Sequence, residues 1–287
     1  MKSPAFDYTR PGTLDEVFAL MGEHGDDARL LAGGQTLLAT LNMRLSEPAL
    51  LIDINRIDAL KGITVRDGML RIGALVTHRE IEESALVGQH APLLAMAAPH
   101  IAHRAIRNRG TFGGSIAYAD PAAEWPVCLV ALEGVVVVRG TGGERRIAAR
   151  DFFVDLYTTD LRPGELITAC EVPVASDADV FVFDELARRH GDYAIVGLAV
   201  VGRRGSGGFA SVRLCYLGMG TVPVCPSATE ALLEGHALTA VSIDAAIDRL
   251  TTELDPMGDL TNTAQTKRHL ACVLARRALN TVMNAAS

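Results

Sequence analysis

The chain of 287 residues lacks the marks of several large functional classes. Its five cysteines, Cys128, Cys170, Cys215, Cys225 and Cys272, are odd in number, scattered, and never spaced C-x-x-C. Structural zinc and iron–sulfur clusters need clustered thiolates, so neither is expected on this chain. No apolar run reaches the ~20 residues of a bilayer span; the longest, Pro126 to Val138, is interrupted by Glu133 and Gly134. The start, Met1-Lys2-Ser3-Pro4-Ala5-Phe6-Asp7, has no apolar segment of the signal-peptide kind, and a cytoplasmic location is expected. A net charge of −7 argues against nucleic acid, which calls for a broad basic face. There is no internal repeat, no low-complexity segment, and no convincing nucleophile or acid/base pair, so no catalytic residue is assigned.

Hydrophobic residues make up 49% and charged residues 21%, a globular balance with core enough for about two or three compact parts. From Ala85 to Ala119 there is no Asp or Glu, yet Arg104, Arg107 and Arg109 lie inside that window. In an acidic chain, this local positive excess points to a bound polyanion. The window contains Thr111-Phe112-Gly113-Gly114-Ser115, which reads as a phosphate loop. Two adjacent glycines let backbone N–H groups approach a ligand, and the flanking hydroxyls add donors. Asp120-Pro121 then reads as N-cap and first position of an exit helix, Pro121 to Leu132. A second pair, in Leu31-Ala32-Gly33-Gly34-Gln35-Thr36-Leu37, repeats the design after an apolar strand. Either pair alone reads as a turn. Two pairs that converge in space would hold a diphosphate from both sides. Neither is followed by Lys-Ser or Lys-Thr, and no G-x-G-x-x-G opens a βαβ unit, so a P-loop and a Rossmann site are both unsupported.

Three parts are expected. In residues 1–55, the capping box Thr13-Leu14-Asp15-Glu16 opens a helix that Gly25 ends. A strand at Arg29–Leu31, a helix or coil at Leu37–Met43 and a buried strand at Ala49–Ile54 complete a small α/β unit with parallel pairing. In residues 56–175, a hairpin turns at Asp67-Gly68 and a second capping box spans Thr77-His78-Arg79-Glu80. One apolar helix runs from Pro92 to Arg104, and a hairpin around Thr141-Gly142-Gly143 and a strand at Glu165–Val172 follow, making a largely antiparallel sheet decorated with helices. Residues 176–287, after the polar linker Ala175-Ser176-Asp177-Ala178-Asp179, read as an α+β domain. Its strands are Val180–Leu186, Ala194–Gly202 and Phe209–Leu217, the last two joined across Gly205-Ser206-Gly207-Gly208, with N-caps at Ser227 and Ser242 and a terminal helix at Thr263–Met283.

Taken together, Ala32 to Thr36, Thr111 to Ser115, Asp120-Pro121-Ala122-Ala123-Glu124 and Arg188-Arg189-His190-Gly191-Asp192-Tyr193-Ala194 resemble signatures of one family. It is the flavin-carrying medium subunit of the molybdenum hydroxylases, as in carbon monoxide dehydrogenase, nicotine dehydrogenase and the flavin domain of xanthine dehydrogenase. The resemblance covers essentially the whole chain. It implies an α+β protein: a two-part FAD-binding fold of the vanillyl-alcohol-oxidase type, a small α/β part plus a mixed or antiparallel sheet, then an α+β carboxy-terminal domain. It implies FAD on this chain, its pyrophosphate against Gly33, Gly34, Gly113 and Gly114, with Leu31, Ala32, Gln35, Thr36, Leu37, Thr111, Phe112 and Ser115 around it. It directs Glu124 toward the adenosine ribose, Ile101 and Ile167 (or neighbouring Leu166) to apolar packing, and Tyr193 against one face of the isoalloxazine. Asp120 is left as a helix cap.

Some relatives carry a lysine near the flavin just before the last motif. Asp184 and Glu185 stand there in this chain, so that role is not carried over. His100 and His103 have metal-like spacing but no third ligand, so they read as helix-face residues and no metal site is assigned. The implied partners are a small subunit with two two-iron two-sulfur clusters and a large subunit with molybdopterin, in a dimer of heterotrimers. Electrons would pass from the clusters through FAD to an external acceptor. Two other readings compete: a self-sufficient FAD reductase with its own substrate pocket, as in a distant relative that reduces an enolpyruvyl sugar nucleotide, and a non-catalytic assembly module.

Overall fold

The computed structural model describes residues 2–206 and 208–285; Met1 of the amino-terminal stretch and Gly207 of the expected hairpin loop lie outside the described residues. The first part is a three-stranded parallel sheet, with Leu50–Asp53 between Asp7–Thr9 and Ala28–Leu31. All four residues of the central strand are buried, as a parallel strand covered on both faces should be. The helix Leu14–His24 starts where the Thr13 hydroxyl accepts the Glu16 N–H and the Glu16 carboxylate accepts the Thr13 N–H. Its Val17 and Phe18 pack on Ile52 and Leu60.

The second part is a five-stranded antiparallel sheet in the order Ile63–Arg66, Met69–Gly73, Leu166–Pro173, Val135–Gly140, Gly143–Ala148. Asp67 and Gly68 both have positive φ, 51° and 75°, the two-residue turn whose twist suits a hairpin. In the central strand the register shifts between Ile167 and Ala169. Before the shift, successive residues face opposite sides: Leu166 joins the core of the first part and Ile167 that of the second.

Two expected helices take a different form. The stretch from Pro92 is helical only to Ala97, tightens to a 3-10 turn at Ala98–His100, and breaks at Ile101 and Ala102, the latter with φ 43°. Helix resumes over Arg104–Arg107. Pro99 brings no N–H to the ladder. The Arg107 guanidinium fixes the break, donating to the carbonyls of Pro99 (3.4 Å), Ile101 (3.0 Å) and Ala102 (3.1 Å). The exit helix begins at Glu124, not Pro121, and ends at Ala131. Asp120 is therefore no helix cap: its carboxylate accepts the Ala122 N–H at 2.9 Å, and this local turn holds the chain out of helix until Ala123.

The third part is an antiparallel meander of Asp179–Ala187, Ala194–Gly205 and Gly208–Leu217. Alternate residues of its central strand face opposite sides. Val196, Leu198 and Val200 pack with the helices Ser227–Leu233, Ala240–Glu253 and Ala264–Ala285, whereas Ala199 and Val201 join Trp125 and Cys128 in the core of the second part. The third sheet is thus a shared wall. It brings Glu185 and Tyr193 beside the helix Glu124–Ala131. No helix among the described residues is long and apolar enough to cross a membrane.

Candidate functional site

The strand Ala28–Leu31 runs into the first glycine pair. A β-carbon on Gly33 would lie 2.1 Å from the Arg109 carbonyl oxygen and 2.9 Å from Gly110 Cα. The two glycine loops therefore touch backbone to backbone, which only a residue without a side chain allows. Gly34 has φ 73°, a left-handed conformation that also favours glycine. Asn55 and Gln35 fix the loop's carbonyls: Asn55 Nδ2 donates to Ala32 O at 2.8 Å and Gln35 Nε2 to Gly33 O at 3.0 Å. Asn55 Nδ2 also reaches the buried Asp53 at 2.7 Å, which the Tyr8 hydroxyl and Arg10 hold from the other side. Among the described residues, the N–H groups of Gly34, Gln35 and Thr36 have no acceptor. They remain available to an anion.

The second glycine pair is not an equivalent open loop. It is the first turn of a short helix, Phe112–Tyr118, whose buried N-cap Thr111 accepts the Gly114 N–H at 3.2 Å. The N–H groups of Phe112, Gly113 and Ser115 bond to Val76, Ala74 and Thr111 carbonyls. Gly113 is required by contact: a β-carbon there would lie 2.5 Å from that of Ala74. So the first loop supplies free amides, and the second supplies hydroxyls and a close-packed floor. The signal for this difference, a threonine N-cap three residues before Gly114, was present in the sequence.

Between the loops lies a cavity of about 850 Å³, within the usual size of ligand sites. Ala32, Gly33, Gly34, Gln35, Thr36, Leu37, Ile101, Thr111, Gly113, Gly114, Ser115, Glu124, Ile167 and Tyr193 line it together. Leu31 and Phe112 do not. The Phe112 ring is fully buried in the core, edge-on to Trp125 with centroids 5.3 Å apart. The expected anion-binding arginines are also redirected. Arg107 is buried and paired with Glu82 at 2.8 Å, and Arg104 reaches Glu83 at 3.5 Å. The acid-free window is positive by count, but its neighbours from Glu82 and Glu83 neutralise most of it.

One end of the cavity is acidic and aromatic. Asp120 and Glu124 face Tyr118, Tyr157 and Tyr193, and the Tyr118 and Tyr157 rings lie 5.1 Å apart. Burial pushes the Glu124 carboxyl up to about 8, with the Glu185 charge adding to it. Burial likewise raises Asp120, against which the Tyr193 hydroxyl lies. On the opposite wall His78 is buried, and burial followed by the Arg107 charge pushes it down to about 4, so it is neutral at pH 7. Trp125 Nε1 donates to His78 Nδ1 at 2.9 Å, which places the imidazole proton on Nε2. No motif in the sequence marks His78, Asn55, Tyr118 or Tyr157, and Thr77-His78 reads there only as part of a capping box.

The break at Ile101 separates His100 from His103, so they share no helix face. His100 Nδ1 lies 3.6 Å from Glu185, and His103 packs near His190 with rings 6.4 Å apart. No group of three His, Cys, Asp or Glu able to hold a metal occurs among the described residues. A second cavity of about 700 Å³, between the helices Ala240–Glu253 and Ala264–Ala285, carries neither glycine loop.

A cavity of this size, closed by two touching glycine loops with free amides at one and hydroxyls at the other, defines a binding protein for a large phosphate-bearing cofactor. Comparison with known proteins makes that cofactor FAD. Residues 4–175 match the FAD binding domain in molybdopterin dehydrogenase, and residues 181–282 match the CO dehydrogenase flavoprotein C-terminal domain. The chain is 39% identical over 280 residues to the 6-hydroxypseudooxynicotine dehydrogenase complex subunit alpha of Paenarthrobacter nicotinovorans, covering 97% of this chain and 95% of that one. A chain of carbon monoxide dehydrogenase from Hydrogenophaga pseudoflava superposes with a TM-score of 0.94 at 37% identity, covering 98% of both. A chain of quinoline 2-oxidoreductase from Pseudomonas putida 86 superposes with a TM-score of 0.95 at 33% identity, covering 100% of this chain and 99% of that one. This chain belongs to the FAD-binding medium subunits of the molybdenum hydroxylases, and is an oxidoreductase subunit.

Proposed function

We propose that the chain carries FAD in the cavity between its two glycine loops and relays electrons from iron–sulfur clusters on a small partner subunit to an external acceptor. Substrate oxidation then belongs to a large, molybdopterin-bearing subunit. The observation that carries this reading is the backbone contact of Gly33 with Arg109 and Gly110 beneath the free amides of Gly34, Gln35 and Thr36. That cradle suits a pyrophosphate, with the Thr111 and Ser115 side chains opposite. Ile101, Leu166 and Ile167 offer apolar surface for rings. The bound flavin would supply the redox chemistry; the chain's residues bind, orient and shield it.

Tyr193, which we assign to one face of the isoalloxazine, also bears on the position of Glu124. Tyr193 and Asp120 both interact electrostatically with Glu124. A residue so close to the ring end serves the flavin better than the adenosine ribose, and we favour the ring end for Glu124. The wider arrangement follows the same reading: a two-part FAD fold of the vanillyl-alcohol-oxidase type in residues 1–55 and 56–175, a carboxy-terminal domain in 176–287, a dimer of heterotrimers, and a cytoplasmic location. The test is a tagged pull-down from the native host with an absorption spectrum and metal analysis. Flavin eluting with iron and molybdenum on two further chains supports the proposal. Flavin on this chain alone favours a self-sufficient reductase, and a colourless chain refutes the FAD assignment.

A further inference from the structure

One wall of the cavity holds a side chain that belongs to neither glycine loop. His78 opens the short helix His78–Glu83, and its backbone N–H donates to the Gly110 carbonyl at 2.9 Å. The residue before it, Thr77, forms an isolated antiparallel bridge with Thr111. The backbone of His78 is therefore locked to the second loop. Its ring is held as well, because Trp125 Nε1 donates to Nδ1 at 2.9 Å, and Trp125 is fully buried and off the cavity wall. A ring nitrogen that accepts an N–H carries no proton of its own, so in the neutral imidazole the proton sits on Nε2.

Nε2 is the end of the ring that meets the cavity. His78 lines the cavity and is only 6% exposed. Among the described residues Nε2 has no acceptor, and the buried side-chain atoms left without a partner belong to Glu185 and Arg213 alone. The donor thus opens onto the cavity and is not sealed in the core. The same ring edge borders the junction of the loops: a β-carbon on Gly110 would lie 2.6 Å from Nε2, and one on Gly33 would lie 2.9 Å from Gly110 Cα. Gly110 lies between the imidazole and the first loop, whose Gly34, Gln35 and Thr36 amides have no acceptor among the described residues. Its neighbours also keep the ring neutral, since burial and then the Arg107 charge push His78 down to about 4.

We propose that His78 is a ligand of the FAD pyrophosphate, donating its Nε2–H to a phosphate oxygen beside the free amides of the first loop, with Trp125 as the residue that fixes the tautomer. The inference rests on the FAD assignment above. A neutral N–H aimed at a charged oxygen makes a charge-assisted hydrogen bond, stronger than one between neutral groups. It supplies a side-chain donor where Arg104 and Arg107, each paired with a glutamate, supply none. No proton leaves the ring; the imidazole binds and orients.

The test is a fluorescence titration of the full chain with FAD, comparing wild type, His78→Leu and His78→Gln, followed by phosphorus NMR and visible spectra of the FAD-saturated proteins. Leucine removes the donor and glutamine keeps an N–H. His78→Leu is expected to bind FAD about 10- to 150-fold more weakly, the range for a hydrogen bond to a charged group, and His78→Gln within about threefold of wild type. In saturated His78→Leu a pyrophosphate phosphorus resonance should move while the flavin absorption bands stay in place, a pattern that general loosening of the site would not give. A wild type that binds no FAD overturns the cofactor assignment and this inference with it. A wild type that binds, beside His78→Leu binding within about twofold, overturns the inference alone. Flavin bands that move while the phosphorus resonances stay also overturn it, because the donor then serves the ring. Should His78→Leu fail to fold, with Trp125 Nε1 left without its acceptor, nitrogen NMR of the histidine-labelled wild type decides: a His78 Nε2–H resonance that moves downfield on adding FAD supports the assignment, and one that stays overturns it.

Discussion

Replacing Gly33 with alanine asks whether the two glycine loops are held together as tightly as their backbones indicate. The added methyl would sit 2.1 Å from the Arg109 carbonyl oxygen, 2.8 Å from its carbon and 2.9 Å from Gly110 Cα. Ordinary contact begins at 3.4 Å, so the loops must part by more than 1 Å. None of the three obstacles is a side chain that could rotate away. Gly110 is further tied by its N–H to Ile106 O at 2.7 Å and by its carbonyl to the His78 N–H at 2.9 Å. Overpacking of this kind costs roughly 1–3 kcal/mol. If the whole of that strain is relieved by opening the cradle, FAD affinity falls about 5- to 140-fold at 1.4 kcal/mol per tenfold. The assay pairs urea unfolding of the apo-protein with fluorescence titration by FAD. Gly142→Ala is the control, since its added methyl meets nothing within 4 Å. Gly33→Ala that binds FAD within about twofold of wild type, at an unchanged unfolding midpoint, would refute the convergence of the loops.

Other perturbations follow from the same geometry. Arg107→Met leaves Glu82 and three carbonyls without their donor; we expect about 3–5 kcal/mol of lost stability in urea, and a loss below about 1 kcal/mol would show that the break at Ile101 does not depend on it. His78, pushed down to about 4 when folded, binds fewer protons than the unfolded chain between about 4 and 6.5. Stability should therefore drop as pH falls through that window, by up to about 1.4 kcal/mol per unit, and His78→Gln should flatten the dependence; equal slopes for both proteins would contradict it. Glu124, pushed up to about 8, works in the opposite direction. The unfolded chain releases that proton above about 4.5 and the folded apo-protein keeps it, so stability is lost as pH rises toward 8, and Glu124→Gln should remove this loss in the same urea series. Tyr193→Ala should leave folding nearly unchanged, the side chain being 71% exposed, while bound flavin becomes more open to iodide quenching; unchanged quenching would place the tyrosine away from the ring.

Much of the fold was legible in the sequence because its signals are local. The capping boxes at Thr13 and Thr77 and the Asp67-Gly68 turn depend on residues within one turn of each other, and each element forms as expected. The helix expected from Pro92 stops at Ala97 because what breaks it is not local. Its carbonyls are claimed by an arginine whose own partner, Glu82, comes from before the helix. Asp120-Pro121 carried a true capping signal, but one spent on a turn that delays the helix to Glu124.

By itself the sequence determined the two glycine pairs and their flanking hydroxyls, and through them the family and its cofactor, since these rest on residue identity and short spacing. Only the tertiary structure decided how the pairs divide their work. Whether an amide is free for a ligand depends on which distant carbonyl is near it; Ala74 and Val76 occupy the second loop's amides, while among the described residues no carbonyl occupies those of Gly34, Gln35 and Thr36. The same holds for charge. The positive count of the Ala85–Ala119 window was in the sequence, but Glu82 neutralises Arg107 only because folding sets them 2.8 Å apart. Glu185 adds its charge to the surroundings of Glu124 only because its sheet packs against a helix from another part of the chain, and electrostatics follows distance in space, not position along the chain.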